Sequence, residues 1–440
     1  MTAPAAAFPE LRSQVTASRR AARALAALSP AARADLLRGF AAALGEPAVR
    51  AAVLAANAAD LSSANAEAAR GTLEPALVKR LGLDAKKLAS VIDGLQQLAA
   101  MPELIGARTT HRELDEGLVL DRVSCPLGVL GVVFEARPEA LVQITGLAWK
   151  SGNAVVLKGG REARASNRAL TEIAHRVLAS HGLDPRVMLL LEERAEVDAL
   201  LGLDDLVDLM IARGSSAFVH HVRAKTKIPV MAHADGICHL YLHASADPGR
   251  AAALAVDSKC TYPAACNAIE TLLWDEAAGA ALDATVTALQ ANGVELRGDA
   301  ATLRRHPSIA AASDADWDTE YGALILSIKQ VAGVDGACDH IDRHGSGHTE
   351  AIVAEDGAAA ERFLATVDAA CVFHNASTRF NDGYRFGLGA EVGISTDKLH
   401  ARGPVGVEGL LTYRWLLRGS GQLTASYGAG GRRFTHRDLP

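Results

Sequence analysis

The spacing of apolar positions divides this chain into stretches of different rhythm. Residues from about 10 to 105 read as helical, with Leu36, Leu37, Phe40 and Leu44 forming one apolar stripe. Ser29-Pro30 supplies an N-cap and a proline at the first helical position, and Gly45 ends the stripe. Between Arg112 and Pro126 the pattern is short and mixed, which fits a hairpin or an exposed strand pair. From Val129 onward short β-branched runs alternate with helical segments. Strands are predicted at Val129–Phe134, Ala154–Lys158, Arg186–Leu191, Leu206–Ile211 and Ile228–Met231, and helices at Ala140–Lys150, from about Ala163 to His181, and at Glu196–Leu201. That alternation argues for a doubly wound parallel sheet, with ligands bound where loops leave the carboxyl ends of its strands.

A second α/β unit is expected from about Asp247. Ala251–Val256 reads as helix, and strands are expected near Ala268–Trp274, Gly322–Val331, Ala351–Ala354 and Ala369–Phe373. The tail beyond Leu388 is rich in glycine and arginine and reads as loops with one or two strands, chiefly Leu410–Leu417.

Composition narrows the class. The 440 residues are 49% hydrophobic and 22% charged, the profile of a soluble chain large enough for two domains. A net charge of −6 gives no broad field for nucleic acid or anionic lipid. Six scattered cysteines without a C-x-x-C pair argue against structural zinc and for a reducing, cytoplasmic setting. No apolar run approaches the roughly 18 residues of a membrane span, and no signal peptide is expected at the N-terminus.

Cys266 is the leading candidate for chemistry. Ala264 and Ala265 precede it and Asn267 follows, so little bulk crowds the sulfur. A thiol at the start of a buried element can meet a substrate, with backbone N–H groups near enough to hold an anion. Taken alone it reads first as a small buried core residue, as most free cysteines are, and the rest of the chain reverses that. Lys158 ends an apolar strand before Gly159-Gly160, where an ammonium could meet a ribose hydroxyl or a 2′-phosphate. Gly214-Ser215-Ser216 offers N–H groups at a helix start, and Glu320 precedes a strand and could hold a ribose. Neither G-x-G-x-x-G nor a Walker A loop is present. Arg137, His233, Arg379 and Arg402 are candidate anion clamps. The His344-Gly-Ser-Gly-His-Thr-Glu350 run reads as a tight loop, and no resident metal is expected.

In order, these pieces resemble the aldehyde dehydrogenase superfamily and, within it, the γ-glutamyl phosphate reductase family. The likeness is carried by Val133-Phe-Glu-Ala-Arg-Pro-Glu139, Lys227-Ile-Pro-Val230 through Ala232-His-Ala-Asp-Gly-Ile-Cys-His239, Asp257–Thr271, His340–Glu350, Asn375-Ala-Ser-Thr-Arg-Phe380 and His400-Ala-Arg-Gly-Pro-Val-Gly406. The resemblance implies two doubly wound parallel-sheet domains plus a small β flap for oligomerisation. Residues 1–111 and 127–245 would bind NADPH, 246–395 would carry Cys266, and 112–126 with 396–440 would form the oligomerisation hairpin and C-terminal segment.

It also implies Cys266 as nucleophile, with Asn267 or Arg137 helping at the oxyanion, and Lys158, Gly214, Ser215 and Glu320 on the cofactor. His233, Arg379 and Arg402 fall to the substrate, L-glutamyl 5-phosphate. A homo-oligomer and glutamate 5-kinase are the implied partners. His233 stands where ordinary aldehyde dehydrogenases carry a water-activating glutamate, which favours phosphate over water as the partner of a thioester. Three other readings stay open: a hydrolytic or CoA-acylating aldehyde dehydrogenase, a silent scaffold on this fold, and a cysteine hydrolase. The last is disfavoured because no single histidine is evidently paired with Cys266.

Overall fold

The computed structural model describes residues 9–214, 216–233 and 235–440. Five helices come first: α1 (Pro9–Ala26), α2 (Pro30–Gly45), α3 (Pro47–Ala69), α4 (Pro75–Leu81) and α5 (Ala85–Ala100). The Ser29 hydroxyl accepts the Ala32 N–H at 3.2 Å, so the predicted cap starts α2 as the sequence suggests. Leu36, Leu37, Phe40 and Leu44 are all buried on its inner face. A hairpin follows, β1 (Arg108–Asp115) and β2 (Leu118–Pro126), its first strand starting four residues before the mixed segment read in the sequence.

The first parallel sheet comprises β3 (Val129–Phe134), β4 (Ala154–Lys158), β5 (Met188–Leu191), β6 (Leu209–Arg213) and β7 (Val230–Met231), in spatial order β5-β4-β3-β6-β7. Its crossovers include α6 (Pro138–Lys150), α7 (Arg164–Ser180), α8 (Arg194–Leu200) and α9 (Ser216–Lys225). Every residue of β3 is buried, as expected of a central strand covered on both faces. Helices α2, α5, α6 and α7 close one face around Trp149, whose ring meets Phe40 at 5.2 Å. Burying two such side chains contributes about 2–3 kcal/mol each.

The second sheet has seven strands: β8 (Cys238–Leu242), β9 (Ile269–Asp275), β10 (Glu295–Gly298), β11 (Ala310–Ala311), β12 (Ile325–Val331), β13 (Thr349–Val353) and β14 (Cys371–His374), in the order β11-β10-β12-β9-β8-β13-β14. Five helices accompany it: α10 (Pro248–Cys260), α11 (Gly279–Ala291), α12 (Ala300–Arg305), α13 (Gly333–His344) and α14 (Gly357–Thr366). A short pair, β15 (Ile394–Ser395) and β16 (Gly403–Pro404), leads to β17 (Leu411–Arg418) and β18 (Arg437–Asp438). These last two flank the hairpin in an antiparallel sheet ordered β17-β2-β1-β18. No single helix among the described residues is long and apolar enough to cross a membrane. The pair α2 and α3 reaches that composition only together, across a 72° bend.

Candidate active site

The two sheets meet with opposite polarity. Arg137, Lys158, Arg213 and Gly214 stand where β3, β4 and β6 end. β3 and β6 are neighbours although a crossover pair separates them in sequence, so Arg137 and Arg213 flank the topological switch point of the first sheet. The second sheet contributes the opposite ends of its strands. His233 and Gly236 precede β8, Cys266 precedes β9, Glu320 precedes β12 and His348 precedes β13. The rule that ligands gather at carboxyl ends describes only one side of this seam.

Cys266 is half-buried in the turn between α10 and β9. Ala268 N–H donates to Ala265 O at 2.8 Å, tightening that turn, while the backbone N–H groups of Cys266 and Asn267 donate to nothing among the described residues. They are available to an anion. The Cys238 thiol donates to Cys266 O at 3.2 Å, and a Cβ built on Gly236 would lie 2.3 Å from that oxygen and 2.7 Å from Cys266 Cα. Only glycine permits this approach of one backbone to another.

Two imidazoles face the sulfur. Their ligand atoms and Cys266 Sγ all lie within 4.8 Å of one another, and the rings meet edge to face at 5.1 Å. Ile394 O fixes His233 Nδ1 at 3.0 Å, leaving Nε2 for the thiolate. His348 is fully buried; its Nδ1 contacts the Thr349 hydroxyl at 2.8 Å, itself held by Asn381 Nδ2 at 2.6 Å. His348 Nε2 is buried without a hydrogen-bond partner.

Burial pushes the Cys266 thiol up, but the charge of His348 and contacts with both imidazoles outweigh it and hold the thiol well below its ordinary value. Burial pulls His233 down, yet its contact with the thiolate wins and raises it to about 9. The resting pair is therefore thiolate and imidazolium at neutral pH. The premise that no histidine pairs with Cys266 is overturned: His348, set aside within a glycine-rich loop, and His233 both do. Only the packing of β13 against β8 brings His348 there, though its place in a motif rich in histidine and hydroxyls was a signal. Three soft and borderline ligands so placed would also suit a zinc ion.

The remaining expected residues fall in three groups. Lys158 is nearly buried at the end of β4, its Nζ donating to Gly159 O at 2.5 Å, and burial lowers its pKa. Glu162 beside it accepts the N–H of Ala136, which is held at φ 40° in the turn after β3. Glu320 is exposed and accepts Gly236 N–H at 3.0 Å, joining the start of β12 to the Cys266 support. Gly214 precedes α9, while Ser215 lies outside the described residues. A lysine at a strand end, glycines without Cβ, a ten-residue helix start and a carboxylate across the seam fit a dinucleotide.

Asn267 Nδ2 donates to Asn381 O at 2.8 Å, so part of its amide holds the neighbouring loop. Arg379 stacks over Tyr262 at 5.9 Å with its Nε buried and unpartnered, within electrostatic reach of Cys266. Arg402 is engaged with Asp368, at 2.7 Å to its carboxylate and 3.1 Å to its carbonyl. Sequence reasoning passed over Arg213 and the fully buried pair of Lys259 and Glu270, whose Nζ and Oε2 are 2.5 Å apart. Burial raises Glu270 to about 7 against the pull of Lys259, and its Oε1 accepts Gly322 N–H at 3.3 Å, anchoring the Glu320 loop.

The two domains, their seam and a cysteine before a strand define an aldehyde dehydrogenase-like fold. It is shared with an acetylating aldehyde dehydrogenase from Geobacillus thermoglucosidasius, at TM-score 0.66 and 17% identity over 94% of this chain and 98% of that one. A γ-glutamyl phosphate reductase from Thermotoga maritima superposes at TM-score 0.89, with 34% identity over 94% of this chain and 99% of that one. No protein-family model matches. The γ-glutamyl phosphate reductases of Parasynechococcus marenigrum WH8102 and Synechococcus sp. JA-3-3Ab are 52% and 54% identical, over 98% and 99% of this chain and 98% and 96% of theirs. The chain belongs to the γ-glutamyl phosphate reductase family and is an oxidoreductase.

Proposed function

We propose that this protein reduces L-glutamyl 5-phosphate to L-glutamate 5-semialdehyde and phosphate, with NADPH as cofactor, in proline biosynthesis. The observation that carries the reading is a Cys266 thiolate held between two imidazoles on the seam beside the dinucleotide cradle. The name shared by the relatives supplies the substrate.

Cys266 Sγ attacks the acyl carbon, and the unpaired N–H groups of Cys266 and Asn267, with Arg137 and Arg379 nearby, take the charge that develops on oxygen. Phosphate leaves and a thioester to Cys266 remains. NADPH, when bound, supplies the hydride that reduces this thioester; Lys158, Gly214, Ser215 and Glu320 would hold it. His233 is positively charged at neutral pH and stabilises the thiolate again as the aldehyde departs. A water-activating carboxylate is replaced here by an imidazolium, a poor base, so the thioester persists for reduction.

Two wider elements of the reading follow. The exposed Tyr413, Trp415 and Leu417 alternate along β17 at the rim of the hairpin sheet and suit a homo-oligomer. Six unpaired cysteines support a cytoplasmic setting, where glutamate 5-kinase would supply the acyl phosphate.

The direct test is the reverse reaction: NADP⁺ reduction with glutamate 5-semialdehyde, with and without inorganic phosphate. Strict phosphate dependence is expected, and Cys266→Ser should abolish it while NADPH still binds. Reduction without phosphate would mean that water resolves the thioester and would overturn the acyl-phosphate reading.

A further inference from the structure

Among the described residues, one trio of side chains brings metal-ligating atoms within 4.8 Å of one another: Cys266 Sγ and a ring nitrogen from each of His233 and His348. The other nitrogen of each ring is already engaged. Ile394 O holds His233 Nδ1 at 3.0 Å, and the Thr349 hydroxyl holds His348 Nδ1 at 2.8 Å. Such contacts orient a ring and fix its tautomer, and they leave Nε2 of both histidines to ligate. His348 is fully buried and its Nε2 has no hydrogen-bond partner, so the protein itself does not offset the desolvation of that atom. A cation accepting its lone pair would offset it.

The donor set selects the ion. One thiolate and two imidazoles suit zinc, whereas magnesium and calcium demand oxygen ligands. Zinc bonds of about 2.0–2.1 Å to nitrogen and about 2.3 Å to sulfur set tetrahedral ligand atoms about 3.3–3.6 Å apart. From separations of 4.8 Å or less, each atom need move inward by under about 1 Å to meet those bond lengths. Cys266 lies in a turn and His233 in the segment between β7 and β8. Both are partly exposed, so the ligands have room to close and an ion can enter from the seam. Cys238 does not complete a closed site: burial holds its thiol well above the ordinary range, and it donates to Cys266 O at 3.2 Å. Three protein ligands with the fourth position open mark an exchangeable ion rather than a structural one.

We propose that Cys266, His233 and His348 form a reversible inhibitory site for zinc, in which the ion takes the lone pair of the nucleophilic sulfur. Binding displaces the proton that His233 carries at neutral pH, which passes to solvent, and only the three coordinate bonds are formed. With its lone pair on the metal, Sγ no longer attacks carbon, so zinc competes with any electrophile for Cys266. The two imidazoles that ready the sulfur for acyl transfer ready it equally for a thiophilic cation.

The test uses untagged protein stripped with a chelator, and it needs neither NADPH nor an acyl phosphate, so its outcome is separate from the reading given under Proposed function. Cobalt(II) is titrated as a spectroscopic probe for a thiolate-to-metal charge-transfer band, and zinc is then added to displace it. Alkylation of Cys266 by iodoacetamide is followed on its peptide with zinc, with magnesium and with neither. Cobalt should give the band at one equivalent per chain. Zinc should abolish the band and nearly stop alkylation, EDTA should restore alkylation, and magnesium should do nothing. Cys266→Ser should lose the band, and His233→Asn and His348→Gln should each bind zinc about 100-fold more weakly, the share of one ligand in such a site. Thr349→Val removes only the group that orients His348 and should weaken zinc about 10-fold. A band or tight zinc binding that persists in Cys266→Ser would put the metal elsewhere and overturn the site. Alkylation that zinc leaves unchanged, or histidine variants with wild-type affinity, would overturn it equally. Cys266→Ser and Thr349→Val change little volume, so they decide the matter if a histidine variant does not fold.

Discussion

Replacing His348 by glutamine keeps a polar side chain of similar reach and removes the charge interaction that holds the Cys266 thiol low. At 4.8 Å, the outer limit of their separation, a unit charge is worth about 3 kcal/mol at an effective dielectric near 20. That corresponds to about two pH units in the thiol's midpoint. The sign is fixed: the imidazole holds the Cys266 thiol low, so its loss moves the titration upward. Below both midpoints the thiolate fraction falls about 100-fold. A more basic thiolate is intrinsically more nucleophilic, with a Brønsted slope of about 0.4–0.5, so the net loss in rate is about tenfold. The assay is the pH profile of Cys266 alkylation by iodoacetamide, quantified on its peptide because three other cysteines are partly exposed. His233→Asn provides the companion profile. An unchanged midpoint in His348→Gln would refute the electrostatic account of this site.

Gly236→Ala should destabilise the protein by about 1–3 kcal/mol and slow Cys266 alkylation, because the new Cβ meets backbone 2.3 Å and 2.7 Å away that has nowhere to retreat; a normal melting temperature with normal alkylation would contradict the packing. His340 is buried against His239, Lys329 and His344, and burial first, then those charges, pushes it down to about 2. The unfolded chain takes up a proton near pH 6.5 that the native state refuses, so stability present at pH 7 should fall by about 2 kcal/mol by pH 5. Denaturant midpoints of His340→Gln should lack that increment between the two pH values. Trp415→Glu on the exposed face of β17 should shift the protein toward monomer by size-exclusion with light scattering while leaving Cys266 alkylation unchanged.

Much of the backbone was legible in the sequence because burial leaves a periodic trace. The fully buried run Val129–Phe134 reads as a strand without help, and Ser29-Pro30 marks a helix start through local hydrogen bonding. Shorter or ambiguous elements escaped: β8 and β10 are only five and four residues long, too short to show a period, and the Ala- and Gly-containing runs of α11 to α14 carry little apolar contrast. Cys266 could be singled out because its small neighbours and the following apolar run are local facts. Lys158, Glu320 and His233 were local candidates as well, and the family resemblance then supplied the roles expected of them.

What sequence order could not decide is which distant groups share a charge. His348 lies 82 residues beyond Cys266 and reaches it only because β13 pairs with β8, while Arg213 and Glu391 meet across a cavity enclosed by four separate elements. The polarity of the seam is likewise a tertiary outcome, since nothing local tells a strand which of its ends will face another sheet. Local propensity and periodicity are read within a few residues of the chain, and they set the elements. Electrostatics and desolvation act over a few ångströms of space, and only the folded structure says which residues those ångströms contain.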